Sequence, residues 1–147
     1  MFYNVESLYD TIPSLFYNDK DYTPDGAMHW DSVRYRNKLH ALASVIDSVA
    51  AEVVALAEVE NEGAVRDLVM TLGTDYNYIH RTSNDARGMD LAILYKGDKF
   101  FPSEIRMARV TVFPAGWRAL DLYLRKFKVS FRQRATEMEE ECLPASI

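Results

Sequence analysis

An α/β fold, built from a β-α-β unit followed by a β-hairpin, is predicted by three features of the sequence. The first is the apolar run Val53-Val54-Ala55-Leu56-Ala57, which ends in Glu58-Val59-Glu60-Asn61 and so reads as a buried strand with charge at its carboxyl end. The second is an amphipathic helix over about residues 32–51, where Tyr35, Leu39, Leu42, Ile46 and Val49 recur at steps of four, three, four and three. The third is the very short connection between that helix and the strand, which is typical of α/β units.

Met1-Phe2-Tyr3-Asn4-Val5 carries the aromatic and β-branched residues of a strand, with the polar Asn4 near its end. Residues 11–30 hold Pro13, Asn18-Asp19, Asp21 and Pro24-Asp25-Gly26 without periodicity, and so form a long loop. Its aromatics Phe16, Tyr17, Tyr22 and Trp30 either pin it to the domain or line a groove. Asp31 is an N-cap for the first helix. Arg34, Arg36 and Lys38 lie in its early turns, either as a solvated face or within reach of a phosphate.

With strand 1, helix and strand 53–59 forming a β-α-β unit, the two strands run parallel, and Asn4 and Glu58 arrive at the same sheet edge. Carboxyl ends of strands are where α/β proteins collect their functional groups, which makes Glu58 the leading candidate. The plainer reading of Glu58 and Glu60 is the solvated exit of a strand, with Asn61 capping the next helix. That second helix spans about 62–72, with Val65, Leu68, Val69 and Leu72 on one face and Gly73 as its stop. Tyr76–Arg81 and Asp90–Tyr95 then make a hairpin around the polar turn 82–88, and Glu104–Phe113 alternates as a further strand. Residues 117–141 are rich in helix formers and end in an acidic run, so a helical tail, or a frayed and disordered one, is expected there.

The 147 residues, 48% of them hydrophobic, suffice for one domain with a core. A net charge of −5 provides no global positive field, so a phosphate-bearing ligand needs a local basic group or a metal. Cys142 is the single cysteine, which excludes a disulfide framework and a cysteine zinc site. No window is long and apolar enough to cross a membrane, and no signal peptide is evident, so the chain as written reads as cytoplasmic with no membrane partner. Its first residues are already strand, leaving either an abrupt start or a preceding segment.

Asn4 within Phe2-Tyr3-Asn4-Val5-Glu6-Ser7-Leu8, Glu58 within Leu56-Ala57-Glu58-Val59-Glu60-Asn61, and Arg87-Gly88-Met89-Asp90 at a strand start together resemble the endonuclease/exonuclease/phosphatase superfamily. The likeness is strongest to a bacterial branch opening with Asn-Val-Glu-Asn-Leu, and covers about residues 1–113. It implies half of a four-layered αββα sandwich, a mixed sheet with helices on one face, with the domain over 1–114 and a divergent tail over 115–147. It implies a metal-dependent phosphoester hydrolase acting on a phosphate ester or nucleic acid. Asn4 and Glu58 match the positions that bind Mg2+ or Mn2+, and oxygen ligands suit such hard cations. Arg87 matches a turn residue able to clamp a phosphate, whereas Asp90 equally caps the turn. His80 resembles a residue of the same segment and also reads as a purely structural histidine.

Ala57 stands where that branch has Gln, and Ser7 where it has Asn, which weakens support around the metal position. The family's later motifs, a strand histidine, a Gly-Asp-x-Asn segment and a terminal Asp-His pair, have no counterpart: after Pro114 there is no histidine, and Asp121 is the only aspartate. No evident general base is present. The resemblance therefore implies a truncated or frame-disrupted member, with a catalytically inactive fragment or binding module as the alternative. An uncovered sheet face then favours self-association, unless the tail folds over it.

Overall fold

The computed structural model describes residues 1–83, 87–111 and 123–133, with the side chains of 107–111 and 123–128 excepted. In chain order the elements are β1 (Phe2–Leu8), a single 3-10 turn (Lys20–Tyr22), α1 (Ser32–Val49), β2 (Val53–Val59), α2 (Glu62–Thr71), β3 (Asn77–Arg81), β4 (Asp90–Tyr95), β5 (Phe100–Thr111) and β6 (Tyr123–Gln133). Four strands form a mixed sheet in the order β1-β2-β4-β3, with β1 and β2 parallel and β4 antiparallel to both β2 and β3. The expected β-α-β unit and hairpin are both present.

Both helices pack on one face of the sheet. Val5 and Leu8 of β1, Val54, Leu56 and Val59 of β2, and Ala92 and Leu94 of β4 meet Leu39, Leu42 and Ile46 of α1 and Val65 and Leu68 of α2 in one apolar core. Burial of this kind contributes roughly 25 cal/mol per Å2 of apolar surface, which makes it the main stabilising term. The stripe of α1 runs Tyr35, Leu39, Leu42, Ala43, Ile46, and Val49 at its end is exposed rather than buried.

The caps follow the sequence at the helix starts and depart from it at one stop. Asp31 accepts the backbone N–H groups of Val33 and Arg34 at 3.0 and 2.9 Å, and Asn61 accepts that of Ala64 at 2.9 Å. Gly73 does not supply a left-handed stop for α2: the helix ends on an extended Leu72, and Gly73 N–H donates to Asp47 Oδ2 at 2.9 Å. The left-handed cap belongs instead to α1, on Ala50 at φ 50°.

The loop before α1 is pinned by its aromatics. Tyr9 stacks on Tyr22 at 4.1 Å, Tyr22 meets Trp30 edge-on at 6.2 Å, and Trp30 Nε1 donates to the Tyr9 carbonyl at 2.9 Å. Buried Asp19 accepts Ser14 N–H at 2.8 Å. Phe16 is not part of this arrangement and is 92% exposed.

The expected helical tail is corrected over part of its length. Tyr123–Gln133 is strand β6, paired antiparallel with β5 from Phe100↔Gln133 to Thr111↔Tyr123. Residues 115–122 and 134–147, and with them the proposed boundary near residue 114, lie outside the described residues. On the sheet face opposite the helices, Tyr95 meets Phe131 of β6 at 5.1 Å, while Phe2 at the far edge is 72% exposed. Among the described residues no helix is long and apolar enough to cross a membrane.

Candidate functional site

The sheet is interrupted at one level on both of its central strands. β1 and β2 pair regularly as far as Asn4↔Ala57 and resume only at Leu8↔Val59, while β2 and β4 pair at Ala57↔Leu91 and resume at Val59↔Asp90. Residue 58 is thus an extra residue opposite β4, while opposite β1 the excess lies on β1, where residues 5–7 face the single residue 58; irregularities of this kind re-aim side chains. Alternation explains its effect: Val54 and Leu56 point into the core, so a regular strand would send residue 58 there next. The bulge gives that place to Val59, which is fully buried, and turns Glu58 out of the core at φ 65°. β1 makes the matching adjustment, with Glu6 and Ser7 at φ 53° and 62° and Leu8 taking the core position. Left-handed backbone at three non-glycine residues is uncommon and is a form of strain that clusters at functional sites.

The result brings Asn4 and Glu58 together. Asn4 Nδ2 donates to Glu58 Oε1 at 3.1 Å, and Asn4 Oδ1 accepts Glu6 N–H at 2.8 Å. Ser7 Oγ donates to Glu58 Oε2 at 3.4 Å, close to the limit for such a bond. The two departures seen in the sequence therefore have physical content: Ser7 reaches the carboxylate weakly, and Ala57 brings no side-chain donor. Lys38 Nζ, half-buried and with its pKa lowered by that burial, donates to the carbonyls of Glu6 at 2.5 Å and Ser7 at 3.2 Å. Lys38 is thus a clamp on the β1 bulge rather than part of a solvated face.

Three oxygens, the two of Glu58 and Oδ1 of Asn4, each accept one hydrogen bond here and keep acceptor capacity for a further partner. This hard, partly exposed donor set fits a divalent cation that retains water and substrate oxygens as its other ligands. Among the described residues there is no group of three or more His, Cys, Asp or Glu side chains arranged to hold a metal.

A cleft of about 530 Å3 adjoins this edge, between the 14–17 loop, the start of α2 and the β3–β4 connection. Neither Asn4 nor Glu58 lines it; Glu60, His80, Asp90 and Tyr17 do. His80 Nε2 and Asp90 Oδ2 are 2.9 Å apart, with both side chains more than nine-tenths buried, and Asp90 Oδ1 accepts Ser83 N–H at 2.5 Å. Gly88, at φ 74°, passes so close to Tyr17 that a Cβ would sit 2.5 Å from its ring. Arg87 is exposed, and its carbonyl accepts the Tyr9 hydroxyl at 3.0 Å. The sequence-derived residues thus divide into Asn4 and Glu58 at the bulge, His80 and Asp90 in the cleft, and Arg87 on the connection beside it.

Glu60 is the residue that sequence reasoning misplaced. It is not a solvated exit: it is 2% exposed, and its carboxylate accepts Asp10 N–H at 2.6 Å and the Tyr17 hydroxyl at 3.0 Å. Burial pushes its pKa up from 4.5 to about 7, against the lowering effect of those two donors. The signal for this was its position between a core strand residue and a helix cap, in a connection of only two residues that leaves no room to swing outward.

A family profile described as endonuclease/exonuclease/phosphatase family matches residues 1–117. No curated protein matches the sequence. Among solved structures, the chain is similar to an endonuclease/exonuclease/phosphatase family protein from Bacteroides thetaiotaomicron, with TM-score 0.52 and 19% identity over 67% of this chain and 36% of that one. It is similar to a mannosyl-6-phosphatase of the same organism, with TM-score 0.51 and 21% identity over 67% and 38% of the two chains. It is also similar to a 2′,3′-cyclic phosphatase solved with adenosine-2′,3′-vanadate, with TM-score 0.57 and 19% identity over 91% and 36%. The chain spans well under half the length of these three, and likeness at such identities establishes the fold.

Proposed function

This chain belongs to the endonuclease/exonuclease/phosphatase family, and from that premise we propose that it carries the metal-binding part of a divalent-metal-dependent phosphoester hydrolase site. The observation that carries the reading is the Asn4–Glu58 pair, held at 3.1 Å across two parallel strands by a bulge that exists in both. Asn4 Oδ1 and the Glu58 carboxylate are the atoms that would hold Mg2+ or Mn2+. Such a cation, when bound, supplies positive charge against the negative charge that builds on phosphate oxygens.

The chain's own residues prepare that place. Asn4 and Ser7 fix the direction of the Glu58 carboxylate, and Lys38 holds the carbonyls of Glu6 and Ser7, so the two bulges stay in register. Arg87, exposed on the turn before β4, is the proposed phosphate clamp. Substrate is a phosphate ester or nucleic acid, by kinship with the family.

A second reading, a binding module that keeps the scaffold without turnover, is favoured by one observation: the described residues hold no cluster of three or more metal-ligating side chains. Magnesium titration of the purified chain by calorimetry, beside hydrolysis of p-nitrophenyl phosphate and bis-p-nitrophenyl phosphate, separates the two. Magnesium binding and magnesium-dependent turnover, both lost in Glu58→Gln, are expected. Magnesium binding without turnover by the folded chain selects the second reading, and absence of both removes the metal assignment.

A further inference from the structure

The two most exposed large apolar side chains of the described residues are neighbours, Leu15 at 93% and Phe16 at 92%, and Ile12 just before them is 71% exposed. Single exposed hydrophobics are ordinary, but three on one short loop mark a surface that binds. The loop is held in this state from both ends. Asp10 N–H and the Tyr17 hydroxyl both donate to Glu60, at 2.6 and 3.0 Å, and Asn61 Nδ2 donates to Asp10 Oδ2 at 2.9 Å, which ties the segment to the β2–α2 connection. Between those ties the backbone bonds to its own side chains. Ile12 N–H donates to Asp10 Oδ1 at 2.6 Å, Ser14 N–H to Asp19 Oδ2 at 2.8 Å and Phe16 N–H to Ser14 Oγ at 3.1 Å. Pro13 has no N–H, so three of the four N–H groups from Ile12 to Phe16 are satisfied without water.

An apolar projection on a self-satisfied backbone suits an apolar phase, which offers no hydrogen bonds in exchange for lost water. Because the loop is already ordered, little conformational entropy is lost on entering it. The same loop carries Tyr17, Tyr22 and Trp30, half-buried residues of the types that sit at the headgroup level of a bilayer. Charge narrows the choice of lipid. No Lys or Arg precedes Lys20, the segment is flanked by Asp10, Asp21 and Asp25, and the chain carries −5 overall, so an anionic surface adds no attraction here. We propose that the 12–16 loop attaches the chain to a zwitterionic phospholipid bilayer, with Ile12, Leu15 and Phe16 entering the boundary between headgroups and acyl chains. The expectation of no membrane partner rested on the lack of a spanning window, and one-sided contact needs none. The attachment is independent of the hydrolase reading, because neither Asn4 nor Glu58 takes part in it.

The test is flotation of the full chain with phosphatidylcholine vesicles, with and without added phosphatidylserine. The wild-type chain floats with phosphatidylcholine alone, and phosphatidylserine does not strengthen the binding. Leu15→Ser and Phe16→Ser each weaken partitioning by about tenfold, for the apolar area each side chain would bury. Both positions are on the surface, so the variants fold, and circular dichroism matching that of the wild type verifies it. Met70→Ser, which changes an exposed apolar residue of α2, leaves binding unchanged. The proposal is overturned if the wild-type chain does not float with phosphatidylcholine, or floats only when phosphatidylserine is present. It is equally overturned if the two loop variants float like wild type, or if Met70→Ser is as damaging as either. Flotation without magnesium-dependent turnover leaves the attachment assigned and removes only the hydrolase reading. Turnover without flotation does the reverse.

Discussion

The Tyr17 hydroxyl donates to Glu60 Oε1 at 3.0 Å, joining the middle of the long loop to the end of β2. The bond stabilises the ionised form of a carboxylate that burial disfavours. Tyr17→Phe therefore costs about 1 kcal/mol of stability at neutral pH. It also moves the Glu60 titration further upward, which carboxyl-carbon NMR reads directly. An unchanged titration would mean that this bond is not formed in solution.

Glu60 also gives stability a pH dependence with a defined sign. Its pKa is raised in the fold from 4.5 to about 7, so the folded state holds the proton more tightly than the unfolded chain. That contribution is complete below about pH 4.5 and is lost as pH rises through about 7. The melting temperature of the wild-type chain thus carries a downward component across that interval, and Glu60→Gln removes it. Equal pH profiles for the two chains would contradict this assignment.

Two left-handed residues tolerate the same substitution equally in stability but differ in what it removes. Ala50, exposed at the C-cap of α1 with φ 50°, has no functional contact, so Ala50→Gly raises stability by about 0.5–1 kcal/mol. Glu58, at φ 65°, is relieved of comparable strain by Glu58→Gly but loses its carboxylate. Chemical denaturation is expected to show no loss of stability in either variant, and calorimetry to show lost magnesium affinity in Glu58→Gly only.

Asp90 accepts from Ser83 N–H and pairs with the buried His80 side chain at Nε2, so Asp90→Ala removes both bonds. A cost of about 2–3 kcal/mol is expected. A double-mutant cycle with His80→Ala then returns a coupling of about 1 kcal/mol or more, because the two share one bond. Additive losses would show that the pair is not coupled.

Much of this was legible from periodicity. The four- and three-residue steps of α1 and the Val-rich run of β2 each admit one reading, and the short link between them makes β1 and β2 parallel, which delivers Asn4 to Glu58. The bulge was not legible, because a strand's alternation shows no break until a partner strand defines register; Glu58 simply ended an apolar run. β6 was misread because Phe127 and Phe131 satisfy helical spacing and strand alternation alike. Lys126, Lys128, Ser130 and Arg132, interleaved with Phe127, Val129 and Phe131, carried the strand signal, and pairing with β5 realises it. The burial of Glu60 depends on Tyr17 and Asp10, which only the folded loop brings to it.

The irregularities in β1 and β2 make the proposed metal edge a local departure from strands that otherwise alternate. Removing one residue from β2 at position 58, and one from β1 between Val5 and Leu8, would restore inward–outward alternation within each strand, with β1 still two residues longer than β2 across the interval. Leu56, Val59, Val5 and Leu8 would keep their inward places throughout. In a lineage with this architecture, the proposed metal edge can therefore be lost through single-residue deletions that leave the inward positions of both strands filled.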